Sequence, residues 1–486
     1  MRHIRFITPQ ALAALLTGVV MLIVLFASPV GMADNGDFYR IMVGNGLYKL
    51  DRYAPDQFFS FFSTKYGMYQ YYNEFSSGFQ SAQGPLIQAA VALDKLFTGQ
   101  DGVFDIRFQA VILAIYLMAA VYLLTTYAAR RVKGSMAYLI SLLAAFMFAD
   151  VGYLAYFNSF YAEGLAFASF LCAIACALLL SSGWGSKTWL IVGFTISSLV
   201  LVCAKQQFAP LGVLLGILCL FLNTPNKAFS LQKSLGWLRR GCAFVLAAAG
   251  VLTYVLIPQE FVDINAYHAM TRGVMMTSEN PEKALADFDI NPQYALLDQT
   301  IYYERNPVID VQDPMLKEDF YAKYGFVSIA KYYILHPGQL ISMLDLSARS
   351  ANSIRPESIG NYEKSTGRDP GAHANFFSLY STLKKAWAPK TFGFMLLFFV
   401  SVLVVSIKDR QRMLILGFVL VMGLSQIAVS IIGAGDADLA KHIFLYNVSF
   451  DVCVFLLLSA GLARFSAARY KAAQEKRAVR IVQAEA

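Results

Sequence analysis

Two carboxylates three residues apart, Asp34 and Asp37 in the stretch GMADNGDFYR (31–40), stand where a long apolar run breaks off. If a helix starts there, the spacing puts both on one face. One reading makes Asp34 the N-cap of a helix carrying Phe38 and Ile41, a role that does not require Asp37. The other holds a carboxylate near a low-dielectric surface, where its basicity rises enough to accept a proton from a hydroxyl group. Asp37 or Asp34 is then the base.

Further polar groups crowd into short connections between apolar runs. YFNSFYAEG (156–164) carries Asn158, Tyr161 and Glu163, which suit a hydroxylated ligand and equally a water-facing turn. Lys205, Gln206 and Gln207 fill a tight turn, and GDADLAKH (435–442) brings Asp436, Asp438, Lys441 and His442. A single Lys beside an apolar run ordinarily snorkels to lipid phosphate as an anchor. Lys205, Lys441 and His442 come from two separate turns, on the side that carries the carboxylates, and so form a candidate site for a lipid-linked phosphate. Asp451 is a different case, because it lies inside an apolar run. An ionised carboxylate there costs about 2.5–3.5 kcal/mol on insertion scales, so it is expected to face the bundle interior and pair with Asn447 one turn earlier.

What must position these residues is a membrane bundle. The 486 residues are 57% hydrophobic and 15% charged, with a mean hydropathy of +0.50, too apolar for an ordinary soluble enzyme. A spanning helix needs about 17–25 apolar residues. Such runs fall at 11–32, 108–129, 135–157 (with Asp150 inside it), 164–182, 188–204, 206–222, 241–258, 391–407, 413–435 and 443–463. The first is longer than the apolar core of about 7–15 residues in a secretion signal, and is read as an uncleaved anchor. With the N-terminus in the cytoplasm, inner segments hold 19 of the 40 Lys and Arg, while the short outer connections hold only Lys205 and Lys441. Both termini are then cytoplasmic and the polar turns exoplasmic. The net charge of +8 sits beside the spans and answers to anionic lipid and insertion rather than to nucleic acid. All six cysteines fall within predicted spans, which leaves the outer loops without a disulfide or a thiolate metal site.

Two outer segments are long. The first, 33–107, holds the aromatic-rich FFSFFSTKYGMYQYYNEF (58–75) and continues into GPLIQAAVALDKLF (84–97). There Leu86, Ile87, Ala90, Val91 and Phe97 repeat at helical spacing and predict a helix lying along the interface. Aromatics at this density fit the headgroup zone, or a groove that stacks on sugar rings. The second, 259–390, has turn signals between short helical patterns and is expected to be a small outer domain. The chain then divides into an N-terminal transmembrane module (1–258), this domain, C-terminal spans (391–463) and a basic cytoplasmic tail (464–486). No repeat, Gly-rich phosphate loop, HExxH or GxSxG is present.

DNGDFYR, LFTGQDGVFDIRFQAVIL (96–113), YFNSFYAEG, AKQQFAP (204–210), GNYEKSTG (360–367) and GDADLAKHIFLYNVSFD (435–451) together carry a family likeness. The chain resembles the GT-C glycosyltransferases that use polyprenyl-phosphate sugars and, more narrowly, the bacterial surface-glycan hexose transferases (WsfD-like). The likeness covers nearly the whole chain as spaced short motifs. It implies an all-α polytopic bundle of about ten transmembrane helices in the cell membrane, with two long exoplasmic loops. Such a bundle moves a hexose from a polyprenyl-phosphate donor to a glycan or lipid-linked glycan acceptor, with inversion.

In that superfamily a carboxylate of the first outer loop is the catalytic acidic residue. It falls here on Asp34 or Asp37, with Asp37 favoured. The phosphate-contacting cations of such enzymes vary in position, so Lys205, Lys441, His442, Arg349 and Arg355 are expected from chemistry and topology. Asn158, Tyr161, Glu163, Gln206, Asp436 and Asp438 complete the expected substrate site. The adjacent Asp and Glu of some members are absent, which leaves open which acid acts and whether a divalent metal helps. No nucleotide or redox cofactor is needed. The rival class is a transporter or flippase of lipid-linked glycans, which should show paired halves and ionisable groups along a path through the bundle.

Overall fold

The computed structural model describes residues 7–51, 53–69, 81–132, 134–223, 229–304, 306–388 and 390–485. All ten apolar runs fall on helices, and the chain is an all-α polytopic membrane protein. Six helices are long and apolar enough to cross a bilayer. They are α1 (Pro9–Leu22, widening into a π turn at Ile23–Ala27), α4 (Arg107–Ala129), α7 (Ala162–Ser181), α10 (Phe229–Val255), α18 (Arg410–Ala434) and α20 (Phe444–Glu485). Two more runs form bent pairs: α5 (Ser135–Phe148) with α6 (Val151–Leu154) and its 3-10 extension, bent by 49°, and α16 (Leu379–Trp387) with α17 (Phe392–Ser406), bent by 112°. The remaining two are shorter apolar helices, α8 (Lys187–Ala204) and α9 (Leu211–Phe221).

Helix α7 is the axis of the bundle: 94% of its apolar window is buried. Its sequence AEGLAFASFLCAIACALLLS explains the position. Ala, Gly, Ser and Cys let neighbouring backbones approach, and α4 and α8 pack closely on it. The bend after α5 has a local cause. Asp150 accepts from Gly152 N (2.8 Å), starting a new helical turn, and its other oxygen takes Ser381 N (2.9 Å).

The connection from 33 to 107 contains α2 (Phe38–Gly44), the expected surface helix α3 (Gln83–Thr98) and three short strands that periodicity does not announce. On α3, Ile87 and Ala90 are buried while Leu96 and Phe97 stand exposed at its end. The strands β1 (Leu47–Lys49), β2 (Lys65–Met68) and β3 (Val103–Asp105) form an antiparallel sheet with Leu47 opposite Met68 and Tyr66 opposite Phe104. Three or four residues are too few for an alternating pattern. Part of the aromatic stretch, residues 70–75, lies outside the described residues.

Between 259 and 390 the chain builds α11 (Gln259–Ala269), α12 (Pro281–Ala286), α13 (Pro314–Asp319), α14 (Phe326–Leu335) and α15 (Pro337–Ser350) before α16. Its first part has its own core, with Phe261, Tyr267, Leu285, Phe320 and Tyr333 closed by Ile427 and Ile431 of α18. Later residues, Ile354, Ile359 and Ala374, join the main core instead. The short helix α19 (Leu439–His442) links α18 to α20.

The expected partner of Asp451 is corrected. Its carboxylate pairs with Lys384 Nζ of α16 (2.6 Å) and accepts from Tyr153 OH (2.5 Å), while Asn447 Nδ2 donates to Ser353 O (3.2 Å). The elbow between α16 and α17 brings an ammonium into the bundle. A buried carboxylate is satisfied better by that charge than by an amide.

Candidate functional site

The end of the bundle where Asp34 and Asp37 lie is built on a strap. Gly31 N and Ala33 N donate to Asn361 O (3.1 Å) and Gly360 O (2.9 Å), and Asn361 Nδ2 donates to Gly31 O (2.8 Å). Asn158, fully buried, donates to Val30 O (2.9 Å) and Leu25 O (3.2 Å) from below. A Cβ on Gly31 would stand 2.5 Å from Asn158 O, and one on Gly360 2.1 Å from Ser60 O, so both positions admit only glycine. The motifs YFNSF and GNYE thus fix where the chain leaves α1.

The two carboxylates then part. Asp34 Oδ1 accepts from Gly36 N (2.7 Å) and Phe38 N (3.1 Å), while its other oxygen pairs with Lys49 (2.6 Å). At 4% exposure Asp34 is engaged in the turn ahead of α2 and is not its N-cap as expected, since that position falls on Asp37, which makes no side-chain cap bond. Asp37 is 27% exposed and faces the other way, toward Arg40 (2.6 Å) and Lys441. Lys441, only 1% exposed, also reaches Asp438 (3.2 Å) and lies over the Tyr161 ring. Asn35 ties this group together, donating to Asp438 (2.8 Å) and accepting from Tyr161 OH (3.0 Å).

The turn that carries Lys441 is itself held. Gly435 has a φ of 59°, and a Cβ there would lie 2.4 Å from Arg272 O. Arg272 grips Asp436 with two bonds of 2.6 and 2.9 Å. Behind Lys441, Lys205 pairs with Glu163 in the first turn of α7 (2.9 Å), and Gln207 donates to His442 O (2.5 Å). Gln206 opens the intervening 3-10 turn.

Electrostatics follow from this packing. Burial works to raise the Asp37 pKa, but Lys441, Arg40 and Lys205 outweigh it and hold the carboxyl well below its usual range. Burial works against the charge of Lys441, and Asp37, Asp438 and Glu163 reverse that. For His442, burial together with Lys205 and Lys441 pushes the imidazole down to about 3, so it is neutral at ordinary pH. Among the described residues no three His, Cys, Asp or Glu side chains converge to hold a metal. The acids here are arranged around an ammonium instead.

Two cavities flank the 34–37 turn. One, of about 450 Å³, is lined by Lys441, Arg349, Lys385 and Lys390. Its carboxylates are engaged: Asp438 with Lys441, Glu357 with Lys385 and Asp436 with Arg272. Arg349 and Lys390 form no ion pair among the described residues. The other cavity, of about 240 Å³, is lined by Asp34, Asp51, Asp56, Glu363, Lys49 and Lys364.

Of the residues expected from sequence, Asp37, Tyr161, Glu163, Lys205, Asp436, Asp438, Lys441 and His442 gather at this end, and Arg349 faces the larger cavity. Asn158 and Arg355 line neither of these two cavities. Asn158 is a buried clamp, and Arg355 donates to Asn361 Oδ1 and Ala374 O (2.5 Å each), bracing the strap. Sequence reasoning missed Arg40, Lys49 and Arg272. Arg40 was findable three residues after Asp37, whereas Arg272 meets Asp436 across 164 positions and gives no local signal.

A model of the YfdI N-terminal transmembrane domain matches residues 1–480, nearly the whole chain. No curated protein matches it.

Proposed function

The chain belongs to the YfdI N-terminal transmembrane domain family, and on that premise we propose that it is an exoplasmic-face glycosyltransferase of GT-C type. It moves a hexose from a polyprenyl-phosphate donor to a glycan or lipid-linked glycan. The observation that carries this reading is Lys441, buried between Asp37 and Asp438 at the edge of a cavity it shares with Arg349, Lys385 and Lys390. A phosphate needs such cations, and a membrane-embedded protein meets phosphate on lipid carriers.

The donor's phosphate enters the cationic cavity and competes for Lys441 and Arg40. Asp37, released from its ion pairs, regains basicity. It takes the proton from an acceptor hydroxyl as that oxygen bonds to the anomeric carbon. The bond from that carbon to the phosphate oxygen breaks on the opposite side, so configuration inverts. The electron pair leaves with polyprenyl phosphate, whose charge Lys441 and Arg349 offset. Asp34, committed to Gly36, Phe38 and Lys49, shapes the turn.

A transporter of lipid-linked glycans has one observation in its favour, the Lys384–Asp451 pair buried in the bundle. Those charges satisfy each other and Tyr153, which suits a clamp better than a path. Incubating the purified protein with a labelled polyprenyl-phosphate hexose and glycan acceptors tests the reading. Transfer to a glycan is expected; transfer from a nucleotide sugar in its place overturns the donor class.

A further inference from the structure

The smaller cavity has no part in the chemistry above, yet it opens on the same turn. We propose that it is the acceptor subsite, and that it takes one neutral or amino-bearing sugar ring while rejecting uronic acids and phosphorylated sugars. This rests on the glycosyltransferase reading and adds to it the class of acceptor.

Size, lining and charge each bear on the proposal. Pockets that bury drug-sized ligands run to roughly 300–1,000 Å³, so about 240 Å³ suits a single ring rather than a chain. Phe38, Phe62 and Tyr66 are buried and form an apolar floor, whereas Phe61 is half-buried and keeps a ring face for stacking against sugar C–H groups. Gln57, Ser63 and Ser365 add neutral hydrogen-bonding groups around it.

Charge supplies the selection. Lys49 and Lys364 are each bound to a carboxylate already, Asp34 and Asp56, both at 2.6 Å. Asp51 has no ion pair among the described residues, and Glu363 accepts only from Thr64, at its backbone N (2.9 Å) and its hydroxyl (2.5 Å). Among the described residues these two carboxylates therefore form no ion pair. They accept from sugar hydroxyls or an amino group, and repel a second anion. Glu363 lies two residues after Asn361 of the strap that sets the exit from α1, so the strap supports both the cavity and the 34–37 turn. Gly36, where a Cβ would meet nothing within 4 Å, leaves the turn between this cavity and Asp37 without a side chain of its own.

Saturation-transfer NMR on the full-length protein in detergent, with methyl glucoside, methyl glucosaminide and methyl glucuronide as probes, tests this. The first two should saturate and the glucuronide should not. Phe61→Ala should cut the signals at least about fivefold, the loss of one stacked ring. Asp51→Lys, a change at an exposed position, should admit the glucuronide. Native protein that binds glucuronide as well as glucoside overturns the proposal, as does a Phe61→Ala protein that saturates normally. In transfer assays Phe61→Ala should raise the acceptor KM while the donor KM holds. Native protein without any transfer overturns the glycosyltransferase reading and the acceptor role with it. Transfer that ignores Phe61→Ala overturns this inference alone.

Discussion

The two cavities beside residues 34–37 differ in the sign of what they leave unpaired. Among the described residues, the Lys441 side has its carboxylates engaged and two cations, Arg349 and Lys390, without an ion pair, whereas the Asp34 side has its ammoniums engaged and Asp51 and Glu363 without one. The 34–37 turn, with Asp34 lining one cavity and Asp37 bonded to Lys441 of the other, thus lies beside cavities of opposite unpaired charge. The lesson is that the position of a carboxylate matters less than its company. Asp34 and Asp37 are three residues apart, but the first is committed to backbone N–H groups and Lys49 and the second to Arg40 and Lys441.

Removing the base should break this comparison most sharply. Asp37→Asn is expected to lower kcat by about 10²–10⁴, the range for a general base. Asp34→Asn keeps an oxygen for Gly36 and Phe38 and should cost far less; single-turnover transfer rates separate the two. Equal losses would mean that the turn acts as one structural unit.

The next effect is on the wall of the cationic cavity. Lys384 pins α16, and with it the adjacent Lys385, to Asp451 in the bundle. Lys384→Met strands a buried carboxylate and should cost about 3–5 kcal/mol, whereas adding Asp451→Leu should recover most of it. Unfolding midpoints in detergent read this, and a double variant no better than the single would refute the clamp. Arg349→Gln, the loss of one charge-assisted bond, should raise the donor KM about tenfold with the acceptor KM unchanged.

The smallest effect concerns pH. His442 stays neutral in the folded protein down to about 3, while the unfolded chain protonates near 6.5. Between those values the unfolded state binds the extra proton, so stability falls as pH drops from 6.5. His442→Gln should flatten that slope between pH 7 and 5. A slope unchanged by the variant would assign it to other groups.

How much of this was legible follows from range. The spans could be read because a lipid-facing helix declares itself in about twenty consecutive apolar residues. The turns at 156–164, 204–210 and 435–442 could be marked because polar groups between spans are conspicuous. Pairing could not be read. Helical spacing points Asp451 to Asn447 one turn away, yet its cation comes from Lys384, 67 positions distant, and no periodicity encodes the α16 elbow that delivers it. The three strands were hidden for the opposite reason, being too short to show a pattern. Arg355 had the right chemistry for phosphate but bonds Asn361 and Ala374 in the strap.

Locating the phosphate of bound polyprenyl phosphate by cryo-electron microscopy of the purified protein tests the division of charge most directly. The expected result is phosphate density against Lys441 and Arg349, with the contact between Lys441 and Asp37 opened. Density in the cavity beneath Asp34, or an intact contact between Lys441 and Asp37 with the lipid bound, would contradict it.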